Sequence, residues 1–194
     1  MKTDIILAGV GGQGILSIAT TIGSAAVAQN LYLKQAEVHG MSQRGGDVQS
    51  HLRLSDKPIA SDLIPKGKTD LIISVEPMEA LRYADMLDKD GWLITNKATF
   101  ENIPNYPNAD DIYNEIKKIK NNIIIDGDAI AKEHGNAKAA NIAILGAAAQ
   151  FIDMPFEAFE DALKAIFGRK GEDVVNLNIE VLRAGAKAAK DYLK

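Results

Sequence analysis

Strand-like segments alternate with segments of helical periodicity over the first two thirds of the chain, and this alternation constrains the fold more than any other feature. The strand-like segments are TDIILA at 3–8, LYLKQAE at 31–37, DVQSHLRL at 47–54, DLIISVEP at 70–77, GWLITN at 91–96 and NIIIDG at 122–127. From about residue 128 onward the pattern is only helical. Strands that alternate with helices predict a largely parallel sheet covered on both faces. We therefore expect a three-layer α/β/α fold with a mostly parallel central sheet and a helical C-terminal third.

The chain is expected to form one domain spanning residues 1–194. A length of 194 residues is enough for one substantial core and a little short for two. The sequence contains no internal repeat, no low-complexity segment and no stretch with the composition of a domain linker.

Composition excludes several classes of function. The formal net charge is −4, whereas a nucleic-acid-binding protein usually carries a basic excess, so we expect no nucleic-acid partner. The absence of cysteine rules out disulfides, a thiol nucleophile, zinc–thiolate sites and the thiolates that hold iron–sulfur clusters. The three histidines, His39, His51 and His134, show no ligand-like spacing, so we predict no metal site in this chain.

No segment is typical of a membrane or secreted protein. The apolar runs are all far shorter than the roughly 20 residues that span a bilayer, and the N-terminus lacks a signal-peptide pattern. We expect no membrane association and a cytoplasmic location.

A glycine-rich turn follows the first predicted strand and precedes the first predicted helix. Gly9, Gly11 and Gly14 satisfy the pattern G-x-G-x-x-G, with Gly12 and Gln13 between them. Such a turn lets an anion or another backbone approach the free N–H groups of a helix N-terminus. It also permits a tight turn and close packing of helix on sheet, and the sequence alone leaves both interpretations open. A dinucleotide site would need an acidic residue about 20 positions further on, where Lys34 and Gln35 stand instead.

The loop at 37–46 is the second candidate, since binding crevices in parallel sheets lie outside the carboxyl ends of the strands. Its polar residues and glycines are His39, Ser42, Gln43, Arg44, Gly45 and Gly46. Arg44 is the candidate for binding an anionic group, because the guanidinium fork matches a carboxylate or phosphate. His39 is a candidate hydrogen-bond partner or proton shuttle near neutral pH. The alternative is a solvated turn in which Arg44 makes a surface ion pair.

Other polar residues have both a functional and a structural interpretation. Glu76, before Pro77, either contacts a ligand or partner or caps the helix that follows. Asn141 lies in an apolar helix and is either a buried amide that reaches a neighbouring loop or an exposed residue on a polar stripe, and its alanine and isoleucine neighbours favour the first. His51 lies on the polar side of an alternating strand and is expected to be exposed. A stripe of small residues predicts close helix packing in the core: Ala139, Ala140, Ala143, Gly146 and Ala147.

Four segments resemble a known family when they are taken in order. GVGGQGI, EVHGMSQRGGDVQSHLRL, SVEPMEALRY and GNAKAANIAILGA are similar to the gamma subunit or domain of the 2-oxoacid:ferredoxin oxidoreductases, and in particular to the small (beta) subunits of the indolepyruvate enzymes. The resemblance runs from near the N-terminus to roughly residue 185. HGMSQRGG is its most specific part and favours the arylpyruvate branch.

The resemblance implies a function in anaerobic metabolism that composition alone does not reach. Such enzymes oxidatively decarboxylate a 2-oxoacid with coenzyme A, producing an acyl-CoA and two electrons for ferredoxin. Thiamine diphosphate with Mg²⁺ and iron–sulfur clusters would be held by a larger partner subunit. Here Asp126-Gly127-Asp128 departs from the Gly-Asp-Gly of a thiamine motif, and a strand end followed by a helix N-cap is the preferred interpretation of these two aspartates. The chain is therefore expected to be inactive alone and to complete the active site of its partner.

Two other functions are compatible with parts of the sequence. The glycine pattern alone would suit a stand-alone NAD(P)- or flavin-binding Rossmann-like oxidoreductase. A non-catalytic assembly module would keep the fold without contributing to the chemistry.

Overall fold

The computed structural model describes residues 1–40 and 45–194 and contains a six-stranded sheet with helices on both faces. The strands are β1 (Lys2–Val10), β2 (Tyr32–His39), β3 (Asp47–Ser55), β4 (Thr69–Ser74), β5 (Leu87–Asn96) and β6 (Asn122–Ile125). The α-helices are α1 (Ile15–Ala28), α2 (Pro77–Arg82), α3 (Ala109–Lys117), α4 (Gly127–Glu133), α5 (Ala140–Ala149), α6 (Phe156–Phe167) and α7 (Glu172–Tyr192). All helices from α4 onward follow the last strand, so the helical C-terminal third is confirmed.

The strands are ordered β2-β3-β1-β4-β5-β6 across the sheet. β1, β4, β5 and β6 are parallel, whereas β3 is antiparallel to both of its neighbours, β1 and β2. β2 therefore points in the same direction as β1 but is separated from it by one strand. The prediction of a mostly parallel three-layer α/β/α fold is confirmed.

Each face of the sheet has its own apolar core, and alternate residues of β1 supply both. Ile5 and Leu7 pack with α1, which contributes residues such as Ile22, and with the helices that follow β6. Ile6 packs on the opposite face, where α2 and α3 contribute residues such as Ile112. The period-two alternation of side chains in a strand explains how one buried segment serves two layers.

The small residues of α5 and α7 allow the two helices to cross at backbone distance. A Cβ placed on Gly146 would lie 1.9 Å from the Leu182 carbonyl oxygen, and one on Gly185 would lie 2.0 Å from that of Ala143. Only glycine fits at either position, so the predicted role of the small-residue stripe in core packing is confirmed.

His51 is buried, so the expectation that it is exposed was wrong. The residues that follow β3 fold back over this strand, and the backbone N–H of Ile64 donates to His51 Nδ1 over 3.0 Å. Only 7 % of His51 remains exposed. The alternating pattern of β3 is therefore produced by a polar face that lies under a loop instead of facing solvent.

Across the two described ranges, none of the helices is both long enough and apolar enough to cross a membrane.

Candidate functional site

A cleft lies at the carboxyl edge of the parallel strands, where the chain changes direction across the sheet. After β1 the chain passes through α1 to β2 and β3 on one side, whereas β4 lies on the other side of β1. In such folds ligands bind at the point where the strand order reverses, which here lies between β1 and β4. The cleft has a volume of about 730 Å³, a size typical of small-molecule sites. Its lining includes Gly12, Gln13, Gly14, Val75, Phe100, Asn141, Lys138, Phe167 and Lys170.

Two glycines of the turn serve packing. A Cβ on Gly9 would lie 2.4 Å from Val75 Cγ2, and one on Gly14 would lie 2.6 Å from Asn141 Nδ2. Gly14 also has a left-handed backbone with a φ of 82°. Both positions therefore require glycine for structural reasons, which is the packing interpretation of the glycine pattern.

Gly11 joins the glycine turn to the loop after β2. Its N–H donates to the Gly46 carbonyl over 2.8 Å, and the Gly45 N–H donates to the Gly11 carbonyl over 3.3 Å. The Asn102 side chain donates to the Gly45 carbonyl over 2.8 Å. The end of the loop and the glycine turn thus lie at the same edge of the sheet, as their positions after β1 and β2 indicated.

Gly12 and Gln13 line the cleft beside Gly14. Gly12 has a φ of 102°, and a Cβ built on it would meet nothing within 4 Å. A ligand could therefore approach the Gly12 backbone closely, which is the binding interpretation of the glycine pattern. Gln13 uses Oε1 to accept the Val10 N–H over 2.8 Å, which closes the end of β1.

The central residues of the loop at 37–46, Ser42, Gln43 and Arg44, lie outside the described residues, so their predicted roles stay predictions. His39 ends β2 and is exposed, and its Nδ1 donates to the Gly40 carbonyl over 3.0 Å. His39 is not among the residues that line the cleft. The predicted catalytic role of His39 therefore stays a prediction.

Asn141 connects the helical third of the chain to the glycine turn. It lies at the start of α5 with 9 % of its surface exposed, and its Nδ2 donates to the Gly14 carbonyl over 3.0 Å. The expectation that it is a buried amide reaching a neighbouring loop is confirmed.

Glu76 is fully buried, and its carboxylate is occupied by neighbours within the chain. Oε2 accepts the Glu79 N–H over 2.8 Å, which caps α2. Oε1 accepts the Phe100 N–H over 3.2 Å and the Tyr106 hydroxyl. Burial, and then this hydrogen bond to Glu76, raises the pKa of Tyr106, so its hydroxyl remains a donor near neutral pH. Glu76 therefore acts by holding the segment 97–108 that forms one wall of the cleft.

The aspartates that follow β6 have structural partners. Asp126 caps α4 by accepting the Ala129 N–H over 2.9 Å, and Asp128 accepts from the Asn96 amide over 2.7 Å. The capping interpretation of Asp126 is confirmed. Because both carboxylates are used in this way and the motif departs from Gly-Asp-Gly, this part of the chain does not fit a thiamine diphosphate–magnesium site.

Four of the residues that line the cleft were missed by sequence reasoning. Lys170 lies with Nζ 5.2 Å from the centre of the Phe167 ring, and Lys138 lies just before α5. Together with Phe100 they give the cleft two cations and two aromatic rings, beside the carboxylate of Asp128. Each comes from a segment that reads as an ordinary loop or helix end, so only the tertiary fold brings them to the glycine turn.

The sequence matches the family model described as pyruvate ferredoxin/flavodoxin oxidoreductase over residues 4–188. It is also 36 % identical over 200 residues to the indolepyruvate oxidoreductase subunit IorB of Archaeoglobus fulgidus, covering 97 % of this chain and 96 % of that protein. The chain belongs to this family.

Solved structures of oxidoreductases share the fold of this family member. The 2-oxoglutarate:ferredoxin oxidoreductase of Magnetococcus marinus, determined with 2-oxoglutarate, coenzyme A and succinyl-CoA bound, matches with a TM-score of 0.76 at 19 % identity, over 98 % of this chain and 31 % of that chain. The gamma subunit of the keto/oxoacid ferredoxin oxidoreductase of Geobacter sulfurreducens matches with a TM-score of 0.71 at 22 % identity, over 97 % of this chain and 99 % of that one. One fold thus forms about a third of a longer chain in one enzyme and a whole subunit in the other.

The sheet order of the family member also argues against a dinucleotide site. In a dinucleotide-binding fold, the strand after the first helix lies beside β1 and places an acidic residue near the ribose. Here β3 lies between β1 and β2, so Glu37 near the end of β2 is one strand too far away. The Gly11 N–H is also already bonded to Gly46. The glycine pattern therefore occurs without the surroundings that NAD binding requires.

Proposed function

We propose that this chain is the small subunit of a 2-oxoacid:ferredoxin oxidoreductase whose substrate is an arylpyruvate such as indolepyruvate. The observation that carries the proposal is the similarity to IorB over almost the full length of both proteins. The arylpyruvate assignment also draws on the HGMSQRGG segment at 39–46. A cytoplasmic location is part of the same proposal.

The reaction breaks the bond between the carboxylate and the carbonyl carbon of the 2-oxoacid. The carboxylate leaves as carbon dioxide, two electrons pass to ferredoxin, and the remaining acyl group is transferred to the sulfur of coenzyme A, whose thiol proton is released. Thiamine diphosphate would supply the electron sink for this chemistry, and iron–sulfur clusters would carry the electrons singly. Because this chain has no cysteine, and because its two candidate aspartates are already hydrogen-bonded within the chain, we assign both cofactors to a larger partner subunit.

The contribution of this chain is to bind and orient anionic groups at the edge of the partner's site. Lys138, Lys170 and the open backbone at Gly12 line the cleft, and Arg44 follows in the loop whose end is bonded to Gly11. Coenzyme A and a 2-oxoacid both carry anions, which such cations attract. His39, exposed beside this loop, is the candidate for a hydrogen bond or proton exchange with the partner's site.

The partnership is tested by anaerobic purification of the tagged protein from its native cells. The expected result is a larger, brown, thiamine-containing subunit in the eluate, with dye reduction that requires both coenzyme A and a 2-oxoacid. A panel of arylpyruvates, pyruvate and 2-oxoglutarate then identifies the substrate. Recovery of the colourless chain alone would contradict the proposal.

The role of the cleft is tested in the same complex by charge removal. Lys138→Gln and Lys170→Gln should each raise the KM for coenzyme A or for the 2-oxoacid by about 10- to 150-fold, since a charge-assisted hydrogen bond contributes about 1.5–3 kcal/mol. Lys117→Gln is the matched control, because Lys117 is exposed on α3 and does not line the cleft. If the two cleft variants had the same KM values as the Lys117→Gln control, the cleft would not be part of the binding site.

A further inference from the structure

A second cavity lies at the opposite end of α5 from the candidate site. It has a volume of about 430 Å³ and is formed by the end of α5, the segment 150–156 and the second half of α7. Asn141, which lines the cleft, and Gln150, which lines this cavity, are nine residues apart, or about 13 Å along a helix. The lining residues are Ala149, Gln150, Ile152, Met154, Phe156, Arg183, Ala186, Lys187 and Lys190.

The cavity exists because the helices meet closely and then present only small side chains. The glycine crossing of α5 and α7 fixes the two helices at backbone distance. Beyond the crossing, Ala149 and Ala186 leave a gap that a larger side chain would fill, and both are at least nine-tenths buried. Ile152, Met154 and Phe156 form the walls, so the interior is apolar.

One side of the cavity mouth is basic. Arg183, Lys187 and Lys190 line it from positions i, i+4 and i+7 of α7, which lie on one face of a helix. Arg183 is paired with Glu160 over 2.6 Å, and Lys187 with Asp191 over 2.9 Å. No carboxylate of the described residues lies within 4.0 Å of the Lys190 ammonium group.

Among the described residues, none of those that line the cavity is a carboxylate, although Arg183 and Lys187 are each paired with one that lies outside the lining. Asp153, the acidic residue of the adjoining turn, lines a neighbouring depression instead. The exposed pair of Lys187 and Asp191 is also weak enough for Lys187 to turn toward a bound anion.

We propose that this cavity binds a small amphiphilic anion, namely an aromatic or branched aliphatic monocarboxylate. The apolar body of the ligand fills the space above Ala149 and Ala186, and its carboxylate lies at the mouth beside Lys190. The volume lies within the range of small-molecule pockets. This site is separate from the cleft, and the inference does not depend on the proposed function.

The test is a titration of the purified chain with 2-naphthylacetate and with its neutral amide, followed by NMR chemical shifts of the protein. From typical ligand efficiencies, the carboxylate should bind with a dissociation constant of about 1 mM or tighter. The amide has nearly the same shape and should bind at least about threefold more weakly, since it lacks the charge. Equal affinity of acid and amide, or no saturable binding of either, would overturn the proposal.

Three variants locate the ligand. Ala186→Leu fills the floor and should abolish binding, and its fold is checked by thermal unfolding. Lys190→Gln should retain the fold and remove most of the preference for acid over amide. Lys138→Gln changes the cleft only and should bind like the unmodified chain. Loss of binding in Lys138→Gln, or full binding in Ala186→Leu, would place the ligand elsewhere and refute the inference.

Discussion

The contact between Gly14 and Asn141 joins the glycine turn to α5, and a double-mutant cycle measures it. Replacement of Gly14 by alanine has two separate effects. Alanine at a φ of 82° adopts a left-handed backbone, which costs about 1–2 kcal/mol. Its Cβ would also lie 2.6 Å from Asn141 Nδ2, so the amide must move and lose its hydrogen bond to the Gly14 carbonyl, at about 1 kcal/mol.

Those magnitudes predict non-additivity. Gly14→Ala should lower the free energy of unfolding by about 2–3 kcal/mol, and Asn141→Ala by about 1–2 kcal/mol. In the double variant the amide is already absent, so only the backbone strain remains for Gly14→Ala. The double variant should therefore be about 1 kcal/mol more stable than the sum of the single changes predicts.

The assay is urea unfolding of the four proteins at equal concentration, with the midpoint and slope fitted for each. Gly12→Ala is the matched control, because Gly12 also has a positive φ but its Cβ would meet nothing within 4 Å. Its effect should add to that of Asn141→Ala within about 0.3–0.5 kcal/mol. The reasoning would be refuted if Gly14→Ala and Asn141→Ala were additive to the same degree.

Three further predictions test other parts of the protein. Gly146→Ala should destabilise the protein by about 1–3 kcal/mol, because the added Cβ meets the Leu182 backbone. Gly23→Ala in α1 is the control, because its Cβ meets only the end of a leucine side chain, and it should be neutral or stabilising. Equal thermal midpoints of the two variants would contradict the close crossing of α5 and α7. Burial lowers the pKa of His51, so the unfolded chain takes up a proton before the folded one, and the free energy of unfolding falls as the pH drops below about 6.5. His51→Gln should therefore lose less stability than the unmodified protein between about pH 7.5 and 5.5, measured by urea unfolding. An identical loss of stability in both proteins would contradict this reasoning. Arg44→Ala should lower turnover of the complex without dissociating it, and unchanged steady-state kinetics would exclude Arg44 from the site.

Local sequence patterns predicted the fold well because they report which side chains are buried. The six strand-like segments correspond to β1–β6, since apolar and alternating runs follow directly from the need to cover a sheet. The same reasoning failed for His51, because periodicity identifies a polar face without saying whether a loop covers it. The order of the strands could not be predicted either, because the position of β3 between β1 and β2 depends on pairing between distant segments.

The candidate site was predicted only in part. Gly12, Gln13, Gly14 and Asn141 were singled out from the sequence and line the cleft, whereas their binding roles stay predictions. Lys138, Lys170 and the two phenylalanines have no such signature, since an isolated cation or aromatic residue near a helix end is common in any chain. Helix capping was one of the two predicted interpretations of Glu76. Its second role, holding the segment 97–108, could not be predicted, because it depends on hydrogen bonds to residues 24 and 30 positions away in the sequence.

The central claim is that this chain completes the active site of a larger subunit, and reconstitution tests it most directly. The larger subunit is prepared anaerobically without this chain, and reduction of ferredoxin by an arylpyruvate and coenzyme A is measured as the chain is added. The account predicts little activity from either protein alone and a rise that saturates at a fixed stoichiometric ratio. Full activity of the larger subunit without this chain would contradict the claim and would favour a non-catalytic assembly role.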